Sequence, residues 1–581
     1  MTLILKVFEA FKIVDFPTAY IMIFTGVWLL VLITAVAFIK PEKPDVYRIL
    51  GAVPLVHFAV FYLFNYTKGY FQLGFSRYGW FLISAIIYAL SGLIIARKAK
   101  KVRYLVITGV LNFAVFFMSV VYIMGISGYT RFTNYSHMNY ENSMAAVIDE
   151  IEAHYILSDH KQIDYDALRA KYIPLAAEAD RNGDEEAYAE AVMNLCYEFH
   201  DGHLSPYFLD NDLRSRVNDN MLGNDYGFSM IGTDRGDIVA ILTDRESAAY
   251  ALGIHDGTVI TGWDGTDMDE ALRNVSCVTT GWPLTSFPTA ENEDFVRPIF
   301  LAGKGGDTVN VRFIGDDGKE TEVTLESTGS YFNRFMAAME PVTGKRCNEF
   351  AYCEMLDDRC GYLCIPEEEY DTAGDIIAAL NDDYPAVKEL LISRIEQMKA
   401  QGMDRLIIDL RDNGGGLDVI SAAIVSLFTT EEIRTYSGFI RDGDLVEADY
   451  WKWTVPSDGR YSDIPVVVLV NAGTASAGDI LTYDLSLCPN VTVMGITTSW
   501  GSAQGVAQTC LLSGGSIRLR YSIMATLDED RNIYIDGGPD RVSAITLDER
   551  IPFDMKAVNK IYMQGQDYEL QYALEWIEKE E

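Results

Sequence analysis

The chain is short of positive charge. Its 47 lysines and arginines stand against 83 aspartates and glutamates, which leaves a net charge of −36. A protein that binds nucleic acid needs the opposite balance, because it has to neutralise phosphates. The charge therefore argues against a nucleic-acid partner and is typical of a well-solvated acidic surface.

Histidine and cysteine are also scarce, with 7 and 8 among 581 residues. Half of the cysteines fall close together: Cys347, Cys353, Cys360 and Cys364. They do not form paired C-x-x-C knuckles and no histidine is near, so neither a zinc site nor any other metal or cofactor is expected. A disulfide within the cluster would fit a location outside the cytoplasm, but its pairing cannot be read from sequence. Cys364 lies in an apolar strand-like run, GYLCI, and is expected to be a buried core residue in preference to a disulfide partner.

Long apolar runs, in contrast, are plentiful near the N-terminus. Four of them approach the roughly 20 residues that a membrane-spanning helix needs: residues 20–39, 49–66, 80–96 and 104–126. The basic loop at 97–103 is cytoplasmic by the positive-inside rule, which puts the chain after about residue 131 outside the cytoplasm. The sequence thus predicts a multi-pass protein of the cell membrane with the lipid bilayer as a partner. The alternative is four buried helices of a soluble protein.

The remaining pattern changes twice along the chain. Residues 132–215 show apolar residues at helical spacing, and residues 216–330 show short strands separated by glycine turns. From 331 to 581 strands alternate with helices, which favours an α/β sheet with crossover helices and a docked C-terminal helix. With residues 1–131 as a transmembrane region, the sequence predicts a multi-domain protein of four parts.

Two segments of the last part carry the chemistry. RLIIDLRDNGGG (405–416) and PVVVLVNAGTASAGDI (465–480) are β-branched apolar runs that end abruptly in small residues, as buried parallel strands do where they enter a tight loop. Ser476 stands directly before a predicted helix. A nucleophile beside backbone N–H groups is what acyl transfer requires. A nucleotide-binding loop is disfavoured, because no Lys-Ser/Thr follows the glycines.

Five motifs occur in one order along the chain: EFHDGHLS, DLRDNGGG, TASAGD, GITTSWGSAQ and YIDGGPD. In this order, over about residues 140–555, the chain resembles the C-terminal processing peptidase and tricorn-core family of serine peptidases. The resemblance implies an α/β serine peptidase core preceded by a helical subdomain. Together with the predicted membrane spans, it predicts a membrane-anchored serine endopeptidase that hydrolyses extracytoplasmic proteins or peptides through an acyl-enzyme. The alternative is a non-catalytic binding or sensor protein for peptides or lipids on the same fold.

The resemblance assigns roles to particular residues. Ser476 matches the nucleophile. One branch of the family uses a lysine base, but Ser502 stands at that place and no lysine occurs between Ala477 and Met555. The tricorn-like branch uses a histidine, which His203 matches, with His200 as its competitor.

A third group should orient the imidazole, as in catalytic triads generally. Asp536 of YIDGGPD is the nearest match to the family's acidic residue, while Glu529 and Asp528 remain open. For the oxyanion, the backbone N–H groups of Ala477 and Gly415 are expected.

The region 216–330 resembles a PDZ domain. Gly227, Phe228, Ser229 and Met230 stand at its carboxylate-binding loop. A PDZ domain adds an extended peptide as a strand and holds its terminal carboxylate on backbone N–H groups. The alternative is a β-rich spacer without a ligand.

Overall fold

The computed structural model describes residues 132–280, 286–344, 346–370, 384–441, 444–505 and 507–579. They fall into two compact units, one of residues 132–147 with 507–521 and one of residues 148–505 with 522–579. The four predicted membrane spans lie outside the described residues. The domain boundaries drawn from the sequence stay predictions.

The transmembrane part of the predicted fold class is corrected. No helix of the described residues is long and apolar enough to cross a bilayer. The helix Tyr165–Asn182 has 18 residues, but acidic and basic side chains interrupt it throughout, whereas a span needs about 20 predominantly apolar ones. The predicted multi-pass membrane localisation is corrected by the same finding, since the described residues contain no membrane-spanning helix. What the structure describes is a mixed α/β fold.

The helices of the described residues, in chain order, are α1 (Tyr140–His154), α2 (Tyr165–Asn182), α3 (Glu185–Tyr197), α4 (Asn211–Leu222), α5 (Ala248–Ala251), α6 (Met268–Asn274), α7 (Ala290–Leu301), α8 (Phe332–Thr343), α9 (Pro385–Lys399), α10 (Asp418–Ser426), α11 (Ala477–Ser486), α12 (Met555–Val558) and α13 (Tyr568–Ile577).

The strands are β1 (Phe132–Asn134), β2 (Ser205–Phe208), β3 (Ser229–Gly232), β4 (Ile238–Ile241), β5 (Ile260–Trp263), β6 (Thr266–Asp267), β7 (Thr308–Ile314), β8 (Glu320–Glu326), β9 (Tyr352–Met355), β10 (Cys360–Cys364), β11 (Arg405–Asp409), β12 (Ile433–Arg441), β13 (Asp444–Val455), β14 (Val466–Leu469), β15 (Val491–Gly495), β16 (Ala507–Leu511), β17 (Ile517–Ser522), β18 (Met524–Leu527) and β19 (Glu549–Arg550).

In the smaller unit, β1 pairs in parallel with β16, with Phe132 opposite Thr509. A short 3₁₀ turn, Ser513–Gly515, follows β16. This pairing joins two segments that are far apart in the sequence.

The larger unit is built on a sheet in the order β19-β15-β14-β11-β10-β9. Its strands run parallel except β9, which is antiparallel to β10. Strands β11 and β14 are buried along their whole length, as expected for strands covered on both faces. Ile408 belongs to the core shared with α9, α10 and α11, whereas its neighbour Ile407 belongs to the core shared with α13. The sheet is therefore a central layer between two apolar layers.

The same unit contains an antiparallel sheet in the order β6-β5-β7-β8, the hairpin β3–β4 and the three-stranded sheet β13-β12-β18. Buried residues of α7 and α8 belong to the same apolar core as those of β3 and β4. The element that matters most for the site is the adjacent pair β11 and β14. Because they are parallel neighbours, the loops after their carboxyl ends come together at one edge of the sheet.

Candidate active site

The two loops that follow β11 and β14 meet at Ser476. We call residues 413–416 the glycine loop and residues 474–477 the serine turn. Ser476 has φ 60° and ψ −121°, a strained backbone conformation for a residue with a side chain. The turn leads directly into α11, whose first backbone N–H groups have no partner within the helix. The Ala477 N–H, predicted to bind the oxyanion, is one of these.

His203 lies against Ser476. Its Nε2 is 3.1 Å from Ser476 Oγ, although the two residues are 273 positions apart in the chain. The imidazole is 4% exposed and Ser476 is half-buried. An imidazole at this distance can accept the serine proton, since general bases act within hydrogen-bond reach.

The other ring nitrogen of His203 leads to a carboxylate through a hydroxyl. His203 Nδ1 is 3.1 Å from Ser502 Oγ, which in turn donates to Asp201 Oδ1 at 3.1 Å. Asp201 Oδ1 also lies 3.8 Å from His203 Nδ1. The Ser502 hydroxyl donates its hydrogen to Asp201 and therefore accepts one from His203 Nδ1. In this tautomer the proton of the imidazole is on Nδ1, so Nε2 can act as a proton acceptor.

Asp201 is itself firmly held. Its Oδ2 accepts a hydrogen bond of 2.7 Å from the Tyr155 hydroxyl, and its Oδ1 accepts one of 2.8 Å from the His203 backbone N–H. Asp201 is fully buried. The sequence prediction missed both Asp201 and Ser502, although Asp201 belongs to the quoted HDGH turn and Ser502 to the quoted TSWGS segment. The signal was the presence of an acid two residues before the histidine.

A second buried carboxylate, Asp479, fastens the serine turn to the loop that carries Ser502. It accepts hydrogen bonds from the backbone N–H groups of Ser476, Gly501 and Ser502 and from the Ser499 hydroxyl. Burial raises the pKa of Asp479 to about 7, against the opposing effect of these hydrogen bonds. Ser476 and Ser502 therefore share one anchor.

Trp500 closes the site on the histidine side. Its ring centroid is 5.7 Å from that of His203. A Cβ on Gly202 would fall inside this ring, 1.4 Å from its nearest atom. A glycine is thus required between Asp201 and His203, which explains the HDGH pattern physically.

Asp536, the predicted orienting acid, lies nearby in a different arrangement. Its residue pairs with Ser502 in an isolated β-bridge, and its carboxylate is 3.4 Å from Lys161 Nζ. Lys161 also donates to the backbone oxygens of His200 and Gly537. Burial raises the pKa of Asp536 to about 7, and the negative charge of Asp201 adds to the effect, whereas Lys161 opposes it. His203 Nδ1 therefore lies against Ser502 and Asp201, whereas the Asp536 carboxylate lies against Lys161.

The alternatives left open by the sequence lie elsewhere. His200 Nδ1 is 4.0 Å from Glu293 Oε2. Burial and the charge of Arg541 lower the pKa of His200 to about 3. Asp528 accepts a hydrogen bond from the Asn532 backbone, and Glu529 is exposed in the same turn. Neither of these two contacts, nor the exposed position of Glu529, places the residue against Ser476.

The glycine loop touches the serine turn, but the Gly415 N–H already has an acceptor. It donates to Asn413 Oδ1 at 2.8 Å. The Gly415 backbone nevertheless abuts Ser476, because a Cβ added there would lie 2.6 Å from Ser476 Cβ and 2.8 Å from the Ala477 nitrogen. An oxyanion that used the Gly415 N–H would compete with Asn413 for it.

The predicted peptide-binding loop is in the interior. Gly227, Phe228, Ser229 and Met230 are all buried, and the Ser229 hydroxyl lies 2.5 Å from the Tyr331 hydroxyl. The Gly227 N–H donates to the Asp225 carboxylate, which also pairs with Arg334. Recognition of a peptide carboxylate by these four residues stays a prediction.

The cysteine cluster contains one disulfide, Cys347–Cys364. The pairing that the sequence left open thus joins the end of β10 to the segment after α8. Among the described residues, no group of three or more histidine, cysteine, aspartate and glutamate side chains is arranged to hold a metal ion.

The segment that contains Ser476, Ser502 and Asp536 has known relatives. Residues 359–540 match the model of Peptidase family S41. We call these residues the S41 segment. His203 and Asp201 lie outside it, so only the fold brings them to Ser476.

Several relatives are named as processing proteases. The chain is 36% identical over 212 residues to a carboxyl-terminal-processing protease of Picosynechococcus sp., a match that covers 34% of this chain and 44% of that protein. It is 26% identical over 269 residues to the chloroplastic C-terminal processing peptidase of Tetradesmus obliquus, covering 42% and 50%. The chain spans about half the length of the curated relatives that it matches. Among solved structures, mature CPAF aligns with a TM-score of 0.48 and 13% identity over 74% of this chain and 94% of that one. This overall likeness leaves the roles of individual residues open.

An alanine at Gly415 is expected to disable the site by displacing the serine turn. Gly415 has φ +90°, and its new Cβ would press on Ser476 and Ala477. A displacement of about 1 Å at the reacting atoms can cost about a hundredfold in rate, so kcat should fall by about that factor. Steady-state kinetics on a peptide substrate measures it. Gly318→Ala is the matched control, since Gly318 has φ +74° with open space around it, and a similar loss of kcat in that variant would contradict the steric explanation.

The stability of the fold should fall as the pH rises across the acid range. Burial raises the pKa of Asp484 on α11 from 3.8 to about 7. The unfolded chain releases this proton near pH 4 and the folded chain only near pH 7. The protonated carboxyl therefore makes its full contribution to the free energy of unfolding below pH 4, and this contribution is lost as the pH rises to 7. In Asp484→Asn the loss should disappear, which raises the free energy of unfolding at pH 7 relative to the parent by up to about 1.4 kcal/mol for each pH unit crossed.

Urea unfolding of parent and variant at pH 4 and at pH 7 checks this expectation. Asn at position 484 can still accept the hydrogen bond that the Tyr534 hydroxyl donates to Asp484. Asp463→Asn serves as the control, because Asp463 is exposed. Equal pH dependence in parent and Asp484→Asn would refute the assignment.

Proposed function

We propose that this chain is a serine endopeptidase whose acyl-enzyme forms on Ser476. The observation that carries the proposal is the 3.1 Å contact between His203 Nε2 and Ser476 Oγ. The match of residues 359–540 to Peptidase family S41 supports the same reaction class.

In the proposed reaction, Ser476 Oγ attacks the carbonyl carbon of a peptide bond while His203 Nε2 takes its proton. The Ser502–Asp201 pair holds the imidazole in the tautomer that can do so and stabilises the cation that forms. The negative oxygen of the tetrahedral intermediate meets the positive end of α11, where the Ala477 N–H is the nearest donor. His203 then protonates the leaving amine, and water attacks the acyl-enzyme with the same histidine as base.

Two features support a histidine base in place of a lysine. The position expected for a lysine is taken by Ser502, whose hydroxyl bridges His203 and Asp201. The buried Lys161 points to backbone oxygens and to Asp536. The substrate is a protein or a peptide, cut at internal bonds.

Labelling by a serine-directed fluorophosphonate tests the proposal. The parent protein should incorporate one probe, mapped by mass spectrometry to the peptide that contains Ser476, and should cut an unfolded protein into internal fragments. Ser486→Ala, at the far end of α11, should label normally. A folded parent that takes no label and leaves the unfolded protein intact would favour the binding or sensor protein instead.

A further inference from the structure

The segment after β10 wraps around the glycine loop at Glu368. The Glu368 N–H donates to the Gly415 oxygen at 3.1 Å, and the Glu368 oxygen accepts from the Leu417 N–H at 2.9 Å. A Cβ on Gly416 would lie 2.4 Å from that same oxygen. The backbone of Glu368 thus runs beside the loop like one more short strand.

The side chain of Glu368 reaches the same loop from within the protein. Its Oε1 accepts a hydrogen bond of 2.9 Å from Asn413 Nδ2, and the residue is completely buried. Asn413 Nδ2 also donates to the Ile365 oxygen at 3.0 Å, and Asn413 Oδ1 accepts from the Gly415 N–H. One asparagine therefore transmits the position of Glu368 to Gly415.

Asn413 links this chain of contacts to the nucleophile in a second way. Its backbone oxygen accepts a hydrogen bond of 2.8 Å from the Ala475 N–H, just before Ser476. Its side chain also fills the space beside Gly478, where an added Cβ would lie 3.0 Å from Asn413 Oδ1. A shift of Asn413 would move both the glycine loop and the serine turn.

The second carboxyl oxygen of Glu368 has no hydrogen-bond partner among the described residues. Burial raises the pKa of Glu368 to about 8, and the negative charges of Asp418 and Asp479 add to this effect. A carboxyl that stays protonated at neutral pH places no unpaired charge beside the active site. A neutral amide should therefore replace it, provided that its length is kept.

We infer that Glu368 is a positioning residue of the candidate active site, which acts through Asn413 to hold the glycine loop against Ser476. As far as turnover is concerned, this inference rests on the proposed peptidase function. The contact chain itself can be measured without any catalysis.

Two variants separate length from charge. Glu368→Gln keeps the length and the acceptor for Asn413, so kcat should stay within about threefold of the parent. Glu368→Asp keeps the carboxyl but is too short to reach Asn413, so kcat should fall by about ten- to a hundredfold with KM little changed. Glu369→Gln is the matched control, because the side chain of Glu369, the next residue in the chain, is exposed.

Hydrogen exchange of the full chain, followed by mass spectrometry, provides the readout independent of activity. The peptide that contains Gly415 should exchange faster in Glu368→Asp than in the parent, and at the parental rate in Glu368→Gln. Equal exchange and equal kcat in Glu368→Asp and the parent would overturn the inference, as would a rise in kcat or an equal loss in both variants. A Glu368→Asp chain that fails to fold would overturn it too, since a group that acts only on the loop leaves the core intact. A parent without peptidase activity would refute the proposed function alone, while the exchange pattern would still decide the role of Glu368.

Discussion

Replacing Ser476 by alanine or His203 by glutamine is expected to lower kcat by about 10⁶-fold. The reason is geometric: Ser476 Oγ and His203 Nε2 are 3.1 Å apart, and neither group can begin the reaction without the other. Loss of either member of a Ser–His pair costs about as much as loss of both. The double variant Ser476→Ala with His203→Gln should therefore be no slower than the worse single variant.

Single-turnover and steady-state kinetics on one peptide substrate measure these effects, with rates normalised to protein concentration because variants that lack either group cannot react with the fluorophosphonate. His200→Gln is the matched control in the same turn. Its imidazole faces Glu293, so kcat should change by no more than a few-fold. A His203→Gln variant that keeps parental turnover, or additive losses in the double variant, would rule out this pair as the catalytic one.

Asp201→Asn should lower kcat by about 10³- to 10⁴-fold with little change in KM, because it removes the negative charge that stabilises the His203 cation. An asparagine oxygen in the place of Asp201 Oδ1 can still accept from the Ser502 hydroxyl and from the His203 backbone N–H. The loss therefore comes from the missing charge. Ser502→Ala should cost less, about a hundredfold, because Asp201 Oδ1 remains 3.8 Å from Nδ1 with its charge intact.

The comparison of Asp201→Asn with Asp536→Asn decides which carboxylate orients the imidazole. Asp536→Asn should cost less than Asp201→Asn if Ser502 and Asp201 orient the imidazole. A larger loss of kcat in Asp536→Asn than in Asp201→Asn would favour Asp536, the orienting acid expected from the sequence. Asp212→Asn, an exposed residue at the start of α4, provides the control. Thermal unfolding of each variant separates the loss of the carboxylate charge from a loss of the fold.

The strands around the site could be predicted from their composition. The run 405–410 was expected to be a buried strand, and β11 covers Arg405–Asp409. A helix was expected after the serine turn, and α11 starts at Ala477. Both cases depend on local properties: β-branched residues buried on both faces, and a turn that leaves N–H groups for a helix start. Such signals need no knowledge of distant parts of the chain.

The assignment of the orienting acid could not be made in this way. Asp201 and Asp536 both stand in short turns of similar composition, and both are buried. What separates them is the Ser502 hydroxyl, which bridges His203 and Asp201 across about 300 residues of sequence. The surroundings of the predicted peptide-binding loop could not be predicted from the sequence either, because Tyr331, which contacts Ser229, comes 102 residues later.

By itself, the sequence determined the elements and the chemistry available to them: a serine in a tight turn after a buried strand, a histidine in an Asp-Gly-His turn, and no lysine between Ala477 and Met555. Only the tertiary structure decided which of these groups meet. The parallel pairing of β11 with β14 brings the glycine loop to the serine turn, and burial of the 200–203 turn under Trp500 brings the imidazole to the hydroxyl. The physical reason is that a strand or a turn is specified by a few neighbouring residues, whereas a hydrogen bond of 3 Å depends on the packing of every layer between its two partners.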